Sequence, residues 1–283
     1  MSRLRIEHRT GYRYDNSVTL SYNEARMTPL TDSQQVVLES SLTVSPSSAV
    51  VSNYRDYWGT RVTAFDMQTA HDFLEVTSLT TVEVHRSQRI PAAEETADWD
   101  VLRSDPVLDD YADWLPQTRL SEPGEEVLRS VRGLTDGLPP HEAGHALMAW
   151  LKAEMQYVPG VTGVQSNAEE VWNHRKGVCQ DLAHLGIGAL RGLGIPARYV
   201  SGYLHPKPDA GIGEAVTGES HAWLEWWDGE WRSWDPTNAG PISDLHVSVA
   251  RGRDYRDVSP LKGILSGGGR SELKVQVEVT RLA

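Results

Sequence analysis

The chain has 283 residues, 39% of them apolar and 23% charged, with a formal net charge of −12. This balance is globular and excludes a disordered chain; the acidic excess argues against a phosphate-tracking nucleic-acid binder and against docking on an anionic membrane surface. No apolar run reaches the roughly 18 residues a bilayer span needs, and the start, Met1 to His8, lacks the apolar core of a signal peptide, so the expectation is a soluble cytoplasmic protein.

Residues 1 to about 90 read as β structure. Leu4, Ile6 and His8 alternate with polar residues, and Leu74, Val76, Ser78, Thr80, Val82 and Val84 share one parity. A period of two signals half-buried strands. Turn signals stand between them at Asp15-Asn16, Thr31-Asp32-Ser33 and Trp58-Gly59. No catalytic constellation appears here, and a structural β-sandwich-like domain is expected. Residues 90–120 are polar and punctuated by Pro91, Pro106 and Pro116, which suggests a linker with a short helix. Ser121-Glu122-Pro123 opens a helical stretch with Val127, Leu128, Val131 and Leu134, and a second helix follows Pro139-Pro140.

In the stretch 179–193, Leu182, Leu185, Ala189 and Leu193 recur at helical spacing, and Gly192, Gly194 and Pro196 end the helix. Ala197 to Tyr203 reads as a strand. His221 to Trp227 and Glu230 to Trp234 read as a hairpin around Asp228-Gly229. The segment 205–219, rich in Pro and Gly, is expected to be a mobile loop beside the site, with His205 at a cleft. Ser266-Gly267-Gly268-Gly269 reads as a flexible linker without the ending of a P-loop, and Leu273 to Val279 as a last strand that can return to the N-terminal β region.

The single cysteine, Cys179, excludes an internal disulfide and any all-Cys metal site. A lone Cys is commonly an inert small hydrophobe. Its position changes that reading: it opens a helix, where the partial positive charge and free N–H groups favour thiolate and can face an oxyanion. Gly177, shortly before it, would let a substrate backbone approach closely. A nucleophile needs a base and something to orient the base, and the hairpin carries His221 at one strand start and Asp235 at the other strand's end. A two-residue turn would set His221 opposite Pro236; a three-residue loop with Gly229 in the left-handed region is expected to set His221 opposite Asp235 on one face. His184, five residues after Cys179, is off its helical face and a poor partner.

Four blocks carry a resemblance: Gly177-Val178-Cys179-Gln180-Asp181-Leu182-Ala183-His184-Leu185, Gly194 to Tyr203, His221-Ala222-Trp223, and Trp231-Arg232-Ser233-Trp234-Asp235-Pro236-Thr237. In this order they resemble the transglutaminase-like core. Tyr12-Arg13-Tyr14-Asp15, Leu20-Ser21 and Arg26-Met27-Thr28-Pro29 resemble the β region that precedes this core in bacterial members. The resemblance implies an α+β fold: a papain-like transglutaminase core preceded by an N-terminal β-sandwich-like domain. The division expected is 1–90 for the β domain, 91–265 for the core and 266–283 for a linker and strand. The resemblance further implies Cys179 as nucleophile, His221 as base and acid, and Asp235 as orienter. Asn173 and Trp172, shortly before Cys179, are candidates for the second oxyanion donor, and each has a structural reading as well.

The expected reaction is attack of the Cys179 thiolate on an amide carbonyl, of a peptide bond or a Gln side chain, through a thioester acyl-enzyme. Water would make the protein a protease or deamidase; an amine co-substrate would make it a transglutaminase. Hydrolysis is preferred because bacterial relatives of this core are often regarded as peptidases. A peptide or protein is the expected substrate, and no metal or cofactor is required. Two alternatives stand beside this. His141-Glu142-Ala143-Gly144-His145 matches the H-E-x-x-H zinc pattern, with His141 and His145 as ligands and Glu142 as base; Pro140 and Gly144 weaken it, and no third ligand stands at an obvious helical spacing, with Glu154, Glu169 and Glu170 as the candidates. The chain can also be a non-catalytic peptide-binding module, with Trp223 to Trp227 lining a groove or, on the plainer reading, buried.

Overall fold

The computed structural model describes residues 1–47, 50–86 and 95–283. The expected domain boundary at residues 90/91 lies outside the described residues. Five strands come first: β1 Ser2–Ala25, β2 Gln35–Ser45, β3 Val50–Arg55, β4 Arg61–Met67 and β5 His71–Val84. The parity set in β5 is the buried set, from Leu74 through Val84, and Leu4, Ile6, His8 and Thr10 of β1 are buried likewise. The helical part follows with α1 Trp99–Leu102, α2 Asp105–Asp110, α3 Gly124–Leu134 and α4 Pro140–Glu154. Then come β6 Gln156–Tyr157, α5 Ala168–His174, β7 Lys176–Gly177 and α6 Cys179–Gly192. The remaining elements are β8 Ala197–Leu204, β9 Ala215–Thr217, β10 Glu219–Trp227, β11 Trp231–Asp235, β12 Gly240–Pro241, β13 His246–Gly252, α7 Tyr255–Val258, β14 Leu261–Gly267 and β15 Ser271–Arg281.

The expected sandwich-like region is one curled antiparallel sheet of eight strands, ordered β2-β5-β1-β15-β9, with β4 and β14 on the second half of β1 and β3 on β4. Asp15-Asn16 does not reverse the chain. β1 runs through it with only a register shift against β5 between Arg13 and Val18, because Asp15 and Asn16 donate to the carbonyls of Arg270 and Gly268 and so stay paired. The Ser266–Gly269 stretch is not a linker. It is the tip of the β14–β15 hairpin, where Gly267, Gly268 and Gly269 have φ of 94°, 83° and 64°, values that side-chain-bearing residues rarely adopt. The last strand does return to the N-terminal sheet, pairing with β1 from Leu4↔Arg281 to Tyr14↔Ser271. Part of the expected loop 205–219 is the strand β9, which pairs with β15.

The core unit is a five-stranded antiparallel sheet, β12-β11-β10-β8-β13, against which α6 packs. The sequence pattern of α6 suggests one buried stripe, but every residue from Asp181 to Arg191 is buried. It is the central helix of the unit, enclosed by α3, α4, α5, β8 and β10. A continuous apolar core joins the two parts: Leu4 and Ile6 of β1 and Val82 and Val84 of β5 belong to the same cluster as Leu147 of α4 and Leu185 of α6. Among the described residues no helix is long and apolar enough to cross a membrane.

The β10–β11 register pairs Trp227 with Trp231 and Leu224 with Trp234. The connection is thus a three-residue loop, Asp228 to Glu230, with Gly229 at φ 114°. The loop length agrees with the expectation, but the pairing does not: carried along the strands, this register sets Trp223, not His221, across from Asp235. His221 lies on the diagonal. Side chains two residues apart in a strand share a face, so His221 and Asp235 still project from the same side.

Candidate active site

Cys179 is the first residue of α6 and is half-buried. The chain entering the helix is fixed by Asp181, whose Oδ2 accepts the Val178 N–H at 2.8 Å and the Thr162 hydroxyl at 2.6 Å. Gly177 serves this contact and not substrate approach: it is buried, and a Cβ there would lie 2.8 Å from Asp181 Cβ. First-turn N–H groups have no acceptor within a helix, so the ladder of α6 does not use those of Cys179 and Gln180.

His221 is 4% exposed and Asp235 1% exposed. His221 Nε2 lies 2.7 Å from Asp235 Oδ2. The other ring nitrogen, Nδ1, makes no well-formed hydrogen bond, but the Cys179 side chain is near enough to favour the imidazolium. Burial lowers the His221 pKa; the bond to Asp235 and the proximity of Cys179 outweigh it and lift the value to about 10. Burial likewise favours a neutral Asp235, but bonds from His221, His246 and Asn238 hold the carboxyl far below the usual carboxylate range. The backbone N–H groups of Thr237 and Asn238 donate to Oδ1 at 2.9 and 3.2 Å, and Asn238 Nδ2 donates to Oδ2 at 2.7 Å. Cys179, His221 and Asp235, separated in sequence, therefore form one contiguous array.

Cys179 and His221 line a cavity of about 280 Å³. Its walls come from both parts of the protein: Tyr199, Tyr203 and Tyr255 from the core, Thr10 and Tyr12 from β1, and Leu273 and Val275 from β15. Tyr12, Tyr199 and Tyr203 stand in the quoted sequence blocks, but Thr10, Leu273 and Val275 carry no motif, and only the packing of the sheet on the core reveals them. His246 is the other residue that sequence reasoning missed; its Nε2 lies 3.2 Å from Asp235 Oδ2. It sits on β13, next to β8, and no sequence spacing announces the contact. Among the described residues, His221, Asp235 and His246 are the one group of three potential metal-ligand atoms, all within 4.8 Å of one another. Both Nε2 atoms already meet the same carboxylate oxygen, so the group is satisfied as a hydrogen-bonded cluster.

The oxyanion candidates are placed elsewhere. Trp172 is 3% exposed in the core, 4.9 Å between ring centroids from Trp150, with the Arg175 guanidinium 3.1 Å from its own ring centroid. Asn173 is exposed on α5. Neither lines the cavity, because the same short helix that brings them near Cys179 in sequence points Trp172 inward to the core.

The zinc pattern serves packing. His141 Nδ1 lies 2.9 Å from Asp228 Oδ2, and that fully buried carboxylate also accepts Trp226 Nε1 at 3.1 Å and Arg232 Nε at 2.9 Å. His145 stands 5.3 Å from the Trp226 ring and 5.2 Å from the Trp234 ring, and Glu142 is exposed. In the Trp-rich strand Trp223 and Trp226 are fully buried, and Trp227 is partly buried with its ring centroid 4.6 Å from that of Tyr111. His184 is a core residue whose Nε2 accepts the Tyr255 N–H at 3.1 Å. His205 is buried, its Nδ1 accepting the Lys207 N–H at 3.3 Å.

The profile described as the bacterial transglutaminase-like N-terminal region matches residues 4–83, and that of the transglutaminase-like superfamily matches residues 127–236. An uncharacterized protein of Mycobacterium leprae is 42% identical over 283 residues, which is 100% of both chains. One of Mycobacterium tuberculosis is 32% identical over 98% of this chain and 92% of its own. Among solved structures, a proposed cysteine protease from Cytophaga hutchinsonii superposes with a TM-score of 0.77 at 22% identity, over 100% of this chain and 91% of that one. That likeness shows the fold, a papain-like transglutaminase core with its β sheet.

Proposed function

Because the chain belongs to the transglutaminase-like superfamily, we propose that it is a cysteine-dependent amide hydrolase or acyl transferase in which Cys179 is the nucleophile, His221 the base and acid, and Asp235 the orienter. The observation that carries this reading is the His221 ring, bonded through Nε2 to Asp235 and neighboured by Cys179 on the cavity wall. A protonated imidazole beside the sulfur favours the thiolate, and the helix N-terminus adds to the effect.

The reaction follows from these positions. The thiolate adds to an amide carbonyl in the cavity. The oxyanion that forms faces the N–H groups of Cys179 and Gln180. His221 gives its proton to the departing nitrogen, the C–N bond breaks, and a thioester remains on Cys179. Water, deprotonated by the now neutral His221, resolves the thioester to an acid; an amine doing the same gives a new amide. Hydrolysis is the preferred outcome, in line with the protease description of the Cytophaga hutchinsonii protein. The substrate is a peptide or protein.

Alkylation by iodoacetamide between pH 4 and 9 tests the proposal, since every labelling event reports on the single thiol. Labelling is expected to stay fast well below the ordinary thiol range near about 8.5, and to slow in His221→Ala. Labelling that rises only near that range in the wild type would sink it. Turnover of Gln-containing peptides with and without an added amine then separates hydrolysis from transfer.

A further inference from the structure

Asp235 meets a second imidazole. His246 is 6% exposed and reaches the same Oδ2 atom as His221, with the two ring centroids 6.1 Å apart. The tautomer of His246 can be read from its other nitrogen. The backbone N–H of Ser243 donates to Nδ1 at 3.1 Å, and the Ser243 hydroxyl lies 3.2 Å from it. A nitrogen that accepts a hydrogen bond from an amide carries no proton of its own. The single ring proton therefore sits on Nε2 and points at Asp235. The ring cannot turn freely: the Trp223 indole meets it edge-on at 5.5 Å and 87°.

We propose that His246 is a positioning residue for the Asp235–His221 pair, a neutral imidazole locked by Ser243 as the Nε2–H tautomer that clamps the Asp235 carboxylate where it meets His221. The inference rests on the reading of His221 and Asp235 as parts of the nucleophilic apparatus. A carboxylate on one side chain torsion can rock about its Cβ–Cγ bond. Donors from Thr237, Asn238 and His221 all approach from Asp235's own strand end or its neighbour; His246 is the donor that comes from β13, two strands beyond β10. It ties the orienting carboxylate to the opposite edge of the core sheet.

The groups facing His246 keep it neutral. Asp235 alone favours its protonation; burial, His221 and Arg86 oppose it, and together they lower its pKa. Arg86 is held close by a bond of 3.2 Å from Nη2 to the His246 carbonyl. Protonation would also set an N–H against the Ser243 amide. His246 therefore does not act as a second acid or base; its role is geometric.

Two measurements test this. The first compares Cys179 alkylation between pH 4 and 9 in wild type, His246→Leu and His246→Gln. Gln can present its Nε2 donor where the imidazole Nε2 stands; Leu fills similar space with none. Leu is expected to slow labelling at pH 6 by about 10- to 100-fold, the size of effect that small misplacement of a reacting group produces, and to move the profile toward that of a free thiol. Gln is expected to recover most of the loss. Wild type labelling fast at low pH with His246→Leu unchanged, or His246→Gln as slow as Leu, would overturn the clamp and leave the triad standing. A wild type that does not label fast at low pH would overturn the triad itself. The second measurement needs no variant. In histidine ¹⁵N–¹H correlation spectra of the native protein, the His246 signals should show the Nε2–H pattern, unchanged from pH 5 to 9. An Nδ1–H pattern, or titration in that range, would refute the proposal even if His246→Leu failed to fold.

Discussion

Val216 of β9 pairs with Val279 of β15, and this pairing fastens the chain just ahead of His221 to the C-terminal strand. Gly218, between β9 and β10, donates its N–H to the Val277 carbonyl at 2.9 Å. A Cβ at Gly218 would lie 2.5 Å from Val279 Cγ2 and 3.2 Å from Val277 Cγ1. Both neighbours are stiff, β-branched side chains that cannot swing aside. Gly218→Val is therefore expected to destabilise the protein by about 1–3 kcal/mol, the usual cost of overpacking, and to slow Cys179 alkylation through the displaced His221. Urea unfolding and the iodoacetamide rate read the two effects. A stability loss with an unchanged alkylation rate would mean that β9 holds the sheet without steering His221.

Asp235→Asn preserves volume but changes what the side chain can do. The carboxylate accepts from His221, His246, Thr237 and two groups of Asn238. An amide has one acceptor oxygen and turns two N–H donors toward the rest. Either His221 loses its partner or the Thr237 and Asn238 amides do. Turnover of a peptide substrate is expected to fall by about 10⁴-fold, the loss on replacing the orienting carboxylate of a comparable triad by an amide. Cys179→Ala should abolish turnover with little change in thermal midpoint. Residual turnover in Cys179→Ala above the uncatalysed rate would remove the thiol from the mechanism.

A buried ion network sets the acid limit of the fold. Glu225 is 2% exposed, with Oε2 at 2.6 Å from Arg198 and 3.2 Å from Arg251, and Oε1 accepting the Ser233 hydroxyl at 2.9 Å. Burial pushes Glu225 toward the neutral acid, but Arg251 and Arg198 prevail and hold its pKa at about 2, below the ordinary value of 4.5. A depressed carboxylate stabilises the folded state above its unfolded pKa, and that stabilisation is lost as pH falls through the window from 4.5 to about 2. Glu225→Gln should therefore lower stability at pH 7, by about 1–3 kcal/mol since it takes the carboxylate from Arg198 and leaves Arg251 with Asp32 alone, and flatten the decline between pH 4.5 and 2. The gap between the thermal midpoints of wild type and variant should be smaller at pH 3 than at pH 7. A constant gap between them would show that the network does not titrate with the fold.

What the sequence made legible followed from local rules. The buried parity of β5 and the start of α6 at Cys179 are set by period-two and period-3.6 patterns and by chain-stopping residues, which act within a few positions. For the β10–β11 connection the sequence left a two-residue turn and a three-residue loop open; the three-residue loop that forms puts Trp223 and not His221 opposite Asp235. The misses have physical causes. Gly267 to Gly269 read as a linker because glycine's freedom looks the same in a coil as in a hairpin tip that needs three positive φ values. Trp172 was near Cys179 in sequence, but α5 turns it into the core. His246 and the walls from β1 and β15 come to the site only through strand order in the two sheets, which no spacing encodes.

The H-E-x-x-H segment separates stability from activity. His141 gives one of its nitrogens to the fully buried Asp228, and Glu142 stays exposed at the first turn of α4. His141→Ala takes a partner from Asp228 and leaves it Arg232 and Trp226 among the described residues. A destabilisation of about 1–3 kcal/mol is expected, the cost of removing one partner from a buried polar group. Cys179 alkylation should keep its pH profile, because Asp228 and Asp235 stand at opposite ends of β11. Glu142→Gln should change neither stability nor turnover, and incubation with a strong chelator should leave turnover intact. Loss of turnover on chelation, restored by zinc and copied by Glu142→Gln, would reverse the assignment: the motif would then be the working centre, with Asp228 holding the His141 ring in place through Nδ1.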